Sequence, residues 1–417
     1  TEDSDFKELL SSVKEVRATG PYQIEIETNG PNPIMPSNLT NLFIMDKDWA
    51  EANNAVKVQD YEGGEDTFAA KNANGTGPYK LVSREPDVRT VMELNEAYWG
   101  IGEFPLEVTR IEYTPIQTAA TRIAALLSGE VDFIEPVPVQ DAERVDSNAE
   151  TRVIRGIESR VIMLGFAHDH EALKYGADAG APNPFADMRV RRAVAHAINV
   201  PAILQTIMRG SAEPVAQLVT PAMSGYSEAN AGRPDYDPDA ARALLAEAGY
   251  PEGFAFGLKC PNNRYLNDEA VCQATVAMLA QVGITAELDA MPVQNYWPEL
   301  RADNFDMYLL GWSPGGAFDH EHPIRFLAST PNEEKRLGSW NFGGYSNARI
   351  DELLPAIQSE IDPARRQAML DEVTAIYQDE QAYVPLYVQP LVWGASDSVT
   401  LTQRPDNFFI LRWVTVN

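Results

Sequence analysis

The stretch from Phe254 to Trp312 alternates between apolar, strand-like runs and helical segments, and this order constrains the fold more than any other feature. The predicted strands are Phe254 to Cys260, Ile284 to Leu288 and Met307 to Leu310, and the predicted helices span about 268–282 and 296–301. Such an order of strands and helices is typical of a sheet with crossover helices. The sequence therefore predicts an α/β chain built on a substantial sheet.

Similar patterns predict further elements on both sides of this unit. Helices are predicted at Asp5 to Val16, Thr118 to Ser128, Asp187 to Met208 with a second helix from Pro201, Asp237 to Gly249, Ala348 to Ser359 and Pro363 to Glu380. Strands are predicted at Tyr22 to Ile26, Thr90 to Asn95, Arg110 to Tyr113, Val131 to Ile134, Arg160 to Phe166 and Val384 to Trp393. Residues 29–41, rich in Asn and Pro, predict a loop.

Length and charge limit the class of protein. A chain of 417 residues exceeds one typical core, so two domains are predicted. The net charge, 33 − 61 = −28, argues against nucleic-acid binding, which needs a basic face. No window approaches 18 uninterrupted apolar residues, so no membrane-spanning helix is predicted. The first residue, Thr1, is not an initiator Met, which indicates a processed or partial chain.

The two cysteines, Cys260 and Cys272, are too few and too far apart for a zinc site. An even pair permits one disulfide, and it equally permits two buried thiols.

The loop after the third strand of the central unit contains the candidate binding residues. Trp312 ends the strand, Ser313 to Gly316 force an irregular path, and Asp319 to His322 follow. An aromatic side chain and a carboxylate beyond the carboxyl end of a strand suggest a small-molecule pocket. The alternative is an exposed acidic loop.

Two further interpretations, a hydrolase and a metal site, are weaker. Gly311 to Gly315 fits the G-x-S-x-G pattern of a hydrolase, but Pro314 and the glycines after it oppose the helix that this motif requires. The pairs His168/His170 and His320/His322 have spacings found in metal ligands. A solvated polar loop is favoured, since no third ligand cluster is evident.

Several motifs, in one order, resemble the family 5 extracellular solute-binding proteins, the dipeptide and oligopeptide receptors of ABC importers. The motifs are GTGPYKLVSREPDVRTVMELNEAYWG (75–100), FADMRVRRAVAHAINVPAILQTIMRGSAEP (185–214), YDPDAARALLAEAGYPEGF (236–254), Gly311-Trp312, GGYSNARID (343–351) and the helix around Arg365 to Tyr377. The resemblance covers nearly the whole chain.

The resemblance implies a type II periplasmic binding protein fold, with two lobes of mixed sheets joined by a two-strand hinge. Residues 1–165 would form part of lobe I, residues 166–392 lobe II, and residues 393–417 would return to lobe I. Arg160 to Phe166 and Val384 to Trp393 would be the crossing strands. Family members begin with a further subdomain, so either this chain is a fragment or a separate polypeptide supplies that N-terminal segment.

The implied function is that of a receptor, not an enzyme, with no cofactor and no metal. It would capture a peptide between its lobes and deliver it to the membrane permease, in the periplasm or on a lipid anchor outside the cell. The alternatives are the same fold binding a sugar, an opine or a metal chelate, and a serine hydrolase.

The resemblance also assigns ligand-binding residues. Asp319 would hold the peptide's ammonium and Arg264 its carboxylate, with local pairing as the alternative for Arg264. Trp312 and Trp393 would stack on the ligand. In an oxidising periplasm a Cys260–Cys272 disulfide would hold Arg264 and Tyr265 in place.

Overall fold

The computed structural model describes residues 7–60 and 63–417, which divide into two compact units. Unit 1 contains Leu42–Gly156 and Leu391–Asn417, and unit 2 contains Glu8–Asn41 and Ile157–Pro390. The lobe boundaries predicted from the sequence stay a prediction, and the two units differ from them: Glu8–Asn41 and residues 157–165 belong to unit 2, and residues 391–392 to unit 1.

The helices and strands are numbered in chain order. The helices are α1 (Met35–Leu39), α2 (Lys47–Ala52), α3 (Phe68–Lys71), α4 (Ala119–Leu127), α5 (Ala142–Asp146), α6 (Met188–Ala197), α7 (Val200–Thr206), α8 (Pro238–Glu247), α9 (Asp268–Ala280), α10 (Val293–Arg301), α11 (Glu321–Pro323), α12 (Ala348–Ser359) and α13 (Pro363–Asp379). The strands are β1 (Val13–Gly20), β2 (Gln23–Thr28), β3 (Tyr79–Glu85), β4 (Arg89–Leu94), β5 (Arg110–Tyr113), β6 (Phe133–Ile134), β7 (Thr151–Phe166), β8 (Glu213–Pro214), β9 (Ala255–Pro261), β10 (Thr285–Met291), β11 (Met307–Trp312), β12 (Tyr383–Ser396), β13 (Val399–Thr400) and β14 (Thr415–Val416).

A mixed sheet forms the centre of unit 2, with strand order β10, β9, β11, β7, β12. β9 pairs in parallel with β10 and β11, and β11 pairs antiparallel with β7. The helices α9 and α10 connect the parallel strands, as the sequence predicts. The mixed α/β architecture is therefore confirmed, and the two predicted crossing segments lie within the adjacent strands β7 and β12.

The two faces of this sheet belong to different hydrophobic cores. Along β7, Ile162 and Leu164 pack in one core, and Val161 and Met163 pack in the other. This alternation follows from the strand geometry, in which successive side chains point to opposite faces. The face on which a residue lies therefore decides which site it can reach.

Unit 1 holds the three-stranded sheet β3-β4-β5 and the short pairs β6 with β12 and β13 with β14. The C-terminal tail packs into this unit, where the ring of Phe409 stacks on Phe133 with centroids 4.7 Å apart. No helix in the described part of the chain has the length and apolar character needed to cross a bilayer.

The N-terminal helix predicted at Asp5 to Val16 is wrong over its second half. Lys7–Leu10 forms one 3-10 turn, and Val13 begins β1, which pairs with β2. The helical spacing of apolar residues was misleading because pairing with β2 satisfies the backbone instead. Asp5 and Phe6 lie outside the described residues. The predicted loop at residues 29–41 also contains the short helix α1.

Candidate functional site

A cluster of charged and polar side chains lies on β7, on β12 and in the loop between β9 and α9 in unit 2. We call it the arginine cluster, and its members are Glu158, Arg160, Arg264, Tyr265 and Gln389. Glu158 is 1% exposed and pairs with Arg160, whose Nη2 lies 2.8 Å from its Oε1. Gln389 Nε2 donates to the second carboxylate oxygen at 2.7 Å. Both oxygens of the Glu158 carboxylate therefore accept hydrogen bonds within the cluster.

The ring of Tyr265 lies close to two guanidinium groups. The Arg160 Cζ is 5.9 Å from the ring centroid and the Arg264 Cζ is 5.3 Å from it, distances at which a cation attracts an aromatic face. Arg264 is exposed, and within the described chain its guanidinium makes no hydrogen bond and no ion pair. Arg160 is thus paired with Glu158, whereas Arg264 has no ion-pair partner in the described chain.

The loop between β9 and α9 positions Arg264 and Tyr265. The Asp268 carboxylate accepts the backbone N–H groups of both residues at 2.9 Å. Cys260 in β9 and Cys272 in α9 form a disulfide, which closes the base of the loop. The disulfide and the Asp268 carboxylate therefore both restrain the loop that carries Arg264.

Trp312 lies on the opposite face of the sheet from Tyr265. The preceding residue, Gly311, faces Tyr265 so closely that an added Cβ would lie 2.5 Å from its ring. Trp312 instead packs with His322, Phe326 and Trp340 at centroid distances of 5.3–5.5 Å. Because β11 separates the two rings, the structure does not bring Trp312 and Tyr265 into one site.

Asp319 lines a separate pocket of about 430 Å³ within unit 2, and no member of the arginine cluster lines that pocket. Its two carboxylate oxygens accept from Arg366 Nη2 and Nη1 at 2.7 and 3.0 Å. Asp319 is therefore buried in a bidentate ion pair, and its role as an ammonium anchor stays a prediction.

Trp393 is completely buried in unit 1, so it has no exposed face on which a ligand could stack. Its ring packs against Phe133 and Phe409 at 5.1 and 5.7 Å, and its Nε1 donates to Asn407 at 3.3 Å. The prediction assigned Trp393 to the ligand because it lies next to the predicted cleft and crossing strand. The aromatic residues of the tail cover it instead.

The loop Asp319–His322 is buried, so the interpretation of it as a solvated polar loop is wrong. Burial lowers the pKa of His320 to about 4 and that of His322 to about 3. His320 Nδ1 lies 2.8 Å from the Gly225 carbonyl. Among residues 7–60 and 63–417, no three His, Cys, Asp or Glu side chains group as metal ligands.

Ser313 lacks the partner that a nucleophilic serine needs. Its Oγ lies 3.2 Å from Ser159 Oγ and 3.4 Å from the backbone nitrogen of Gly315, with no histidine hydrogen-bonded to it in the described chain. A nucleophile requires an adjacent base. The G-x-S-x-G pattern here is part of a strand end and a 3-10 turn.

The sequence analysis missed Glu158, Arg160 and Gln389. A signal was present, since Glu158 and Arg160 are charged residues two positions apart on a strand that is otherwise apolar towards Phe166. Two charges at this spacing share one face of a strand. Gln389 carried no such signal, because its contact with Glu158 depends on the pairing of distant strands.

Comparisons with known proteins add a family and a fold. The family model of the bacterial extracellular solute-binding proteins, family 5 middle region, matches residues 2–334. The glutathione-binding protein GsiB of Escherichia coli strain K12 is 29% identical over 333 residues, which are 78% of this chain and 61% of that protein. The chain thus spans about 61% of the length of this curated relative.

Two solved structures resemble the chain in fold. The periplasmic binding protein DppA from Helicobacter pylori, in complex with the peptide STSA, has a TM-score of 0.80 at 21% identity, covering 99% of this chain and 76% of that one. The binding protein AgaA from A. tumefaciens R10, in complex with agropinic acid, has a TM-score of 0.78 at 22% identity, covering 99% and 79%.

Proposed function

We propose a function from the premise that this chain belongs to the bacterial extracellular solute-binding proteins of family 5. Its fold is that of the type II periplasmic binding proteins, as predicted from the sequence. The chain acts as the substrate-binding receptor of an ABC importer and captures a peptide for delivery to a membrane permease. It works in the periplasm or on a lipid anchor outside the cell. Relatives named for binding glutathione and a peptide support this proposal.

The unpaired Arg264 guanidinium is the single observation that carries the proposal. A chain with a net charge of −28 repels anions in general, yet the Arg264 guanidinium has no ion-pair partner in the described chain. A planar guanidinium with free N–H groups suits bidentate binding of a carboxylate. Arg264 therefore anchors the ligand carboxylate, beside the ring of Tyr265.

Replacement of Arg264 by Gln tests this role. We expect the Kd of the full-length receptor for the peptide Ser-Thr-Ser-Ala to rise at least tenfold, about 1.4 kcal/mol, because the carboxylate loses its charged partner. Isothermal titration calorimetry measures the change. Arg301→Gln is the matched control, since Arg301 is another exposed arginine of unit 2 without a hydrogen bond or ion pair in the described chain. Equal affinity of the Arg264→Gln variant and the parent would remove Arg264 from the site.

The second candidate ligand is an opine, a sugar or a metal chelate held by the same fold. AgaA, with its agropinic acid, supports an opine more than the others. An opine acid would still use Arg264, so the Arg264→Gln variant does not separate it from a peptide. Mass spectrometry of the ligand released on denaturing the purified receptor makes this distinction.

We also infer that a further polypeptide segment, of a longer chain or of a separate one, covers the β1–β2 hairpin. One face of the hairpin is apolar, where Val16 pairs with Ile26 and Ala18 with Ile24, and Val16 and Ile24 are 59% and 61% exposed. A two-stranded hairpin is marginally stable in water unless one face is buried.

A Val16→Ser variant tests this cover. We expect the free energy of unfolding of the full-length receptor to fall by at least about 1 kcal/mol, because a buried valine is lost. Val88→Ser is the control, since Val88 is 52% exposed in the turn between β3 and β4. Urea denaturation that gives both variants the same stability would contradict the inference.

A further inference from the structure

The pocket beside Asp319 has a charged wall as well as apolar walls. Its volume of about 430 Å³ lies in the range of small-molecule sites. The charged wall is the ion pair of Asp319 and Arg366, whose side chains line the pocket and keep 8% and 11% of their surface exposed. The apolar lining includes Ile34, Phe318 and Leu370. A ligand in this pocket therefore meets an ion pair and not a single charge.

Arg366 keeps hydrogen-bond donors that its contacts within the chain do not use. A guanidinium has five N–H groups. The Arg366 Nε donates to the Ile357 carbonyl at 3.1 Å, and Nη1 and Nη2 donate to Asp319 at 3.0 and 2.7 Å. One N–H group on each Nη atom is therefore left without a partner in the described chain. These two groups can donate to a ligand anion.

Asp319 also keeps one acceptor position. Its Oδ1 accepts from Arg366 Nη2 and from the backbone N–H of Glu321, at 2.7 and 2.9 Å. Its Oδ2 accepts only from Arg366 Nη1 in the described chain, although a carboxylate oxygen can accept two hydrogen bonds. Because Oδ2 and Nη1 are 3.0 Å apart, the free acceptor position and a free N–H group lie side by side.

A ligand group that carries both charges close together matches this wall. The head of an α-amino acid is such a group, because its ammonium and its carboxylate are attached to one carbon. The carboxylate can accept from the free N–H groups of Arg366 while the ammonium donates to Asp319 Oδ2. A lone ammonium or a lone carboxylate would pair with one side of the wall and be repelled by the like charge on the other side.

We propose that the pocket binds the zwitterionic head of an amino acid, so that the receptor prefers γ-linked glutamyl peptides to α-linked peptides. In an α-linked peptide the carboxyl group next to the terminal ammonium is consumed by the amide bond. In a γ-linked glutamyl peptide the side chain forms the amide, and the α-carbon keeps both charges. Arg366 is thus a specificity-determining residue, and Asp319 does not hold an ammonium alone. This inference rests on the proposed receptor function, but not on Arg264.

Two isomeric peptides test the preference by calorimetry on the full-length receptor: γ-Glu-Ala-Gly and its α-linked isomer Glu-Ala-Gly. They share their composition, net charge and C-terminal carboxylate, so any contribution of Arg264 is common to both. Neither has a thiol that could reduce the Cys260–Cys272 bond. The γ-linked isomer is expected to have a Kd at least about tenfold lower, because only its carboxylate can reach Arg366 together with the ammonium. Kd values within about threefold of each other, or the reverse order, would overturn the inference.

A double Asp319→Leu, Arg366→Met variant links the preference to this pocket. It replaces a buried ion pair by apolar side chains of similar size and leaves no unpaired charge behind. We expect its Kd values for the two isomers to differ by less than about threefold. The matched control is Glu372→Leu, Arg349→Met, which removes a surface ion pair between α12 and α13 and should keep the preference of the parent. A preference that the Asp319→Leu, Arg366→Met variant retains would place the selection outside the pocket and overturn the inference.

The ratio of the two Kd values also separates recognition from stability and from the receptor function. Partial unfolding of a variant raises both Kd values by the same factor and leaves their ratio unchanged. If neither isomer binds the parent and Ser-Thr-Ser-Ala does not bind either, peptide capture is overturned and the inference falls with it. If Ser-Thr-Ser-Ala or the α-linked isomer binds and the γ-linked isomer is not preferred, only the inference falls.

Discussion

Replacement of Asp319 by Ala is expected to lower the free energy of unfolding by about 3–5 kcal/mol, the loss found when one partner of a buried ion pair is removed. The side chains of Asp319 and Arg366 are 8% and 11% exposed, so the orphaned guanidinium would stay largely out of water. Arg366 also donates to the Ile357 carbonyl, which limits its freedom to swing outwards. Urea denaturation followed by tryptophan fluorescence measures the loss.

Two further variants show that burial is the cause. Glu372→Ala removes one of the two carboxylates that pair with Arg349, the one that joins α12 and α13 on the surface, and a much smaller loss is expected there. A double Asp319→Leu, Arg366→Met variant should recover much of the stability, since apolar side chains of similar size replace buried pairs well. If Asp319→Ala is instead as stable as the parent and binds peptide more weakly, the carboxylate serves the ligand, as the resemblance implied.

Local signals in the sequence were sufficient for the elements around the central sheet. In α8 the Asp237 carboxylate accepts the N–H groups of Asp239 and Ala240, with Pro238 in the first turn, as the pattern predicted. The alternation of strands and helices from Phe254 to Trp312 predicted the sheet for the same reason. Each of these signals lies within a few residues of the structure that it specifies.

The site depended on information that local patterns do not contain. Asp319 meets an arginine 47 positions later, and nothing near Asp319 indicates that its charge is already matched. Trp312 is the last residue of β11 and Tyr265 lies in the loop after β9. Gly311 faces Tyr265, so Trp312, the next residue of the strand, lies on the opposite face. Each predicted ligand residue therefore fitted its local sequence pattern, but the folded chain does not bring these residues together in one site.

The N-terminal hairpin illustrates a competition that periodicity alone cannot resolve. Leu9, Leu10, Val13 and Val16 have helical spacing, yet only Leu9 of these is buried. From Glu15 to Ala18 the chain also alternates between charged and apolar residues, a strand pattern, and β2 lies close enough in sequence to pair with it. Pairing with β2 therefore explains why the segment from Val13 forms a strand and not a helix.

The disulfide provides the second large expected effect. A Cys260→Ala, Cys272→Ala variant should lose about 3 kcal/mol of unfolding free energy, because the bond closes a loop of about a dozen residues and limits the unfolded chain. Alanine is the suitable replacement, since both cysteines are fully buried and a serine hydroxyl would need a partner. Dithiothreitol should destabilise the parent and leave the double variant unchanged. Two thiols titrated in the unfolded, non-reduced parent would contradict the bond itself.

The same variant separates stability from binding. The Asp268 carboxylate holds the backbone of Arg264 and Tyr265 independently of the disulfide, so the tip of the loop keeps one of its two restraints. The Kd for Ser-Thr-Ser-Ala should therefore rise by only about threefold. If the whole loss of unfolding free energy were also lost from the binding free energy, the rise in Kd would be much larger. A rise as large as that of Arg264→Gln would mean that the covalent bond, and not Asp268, positions the guanidinium.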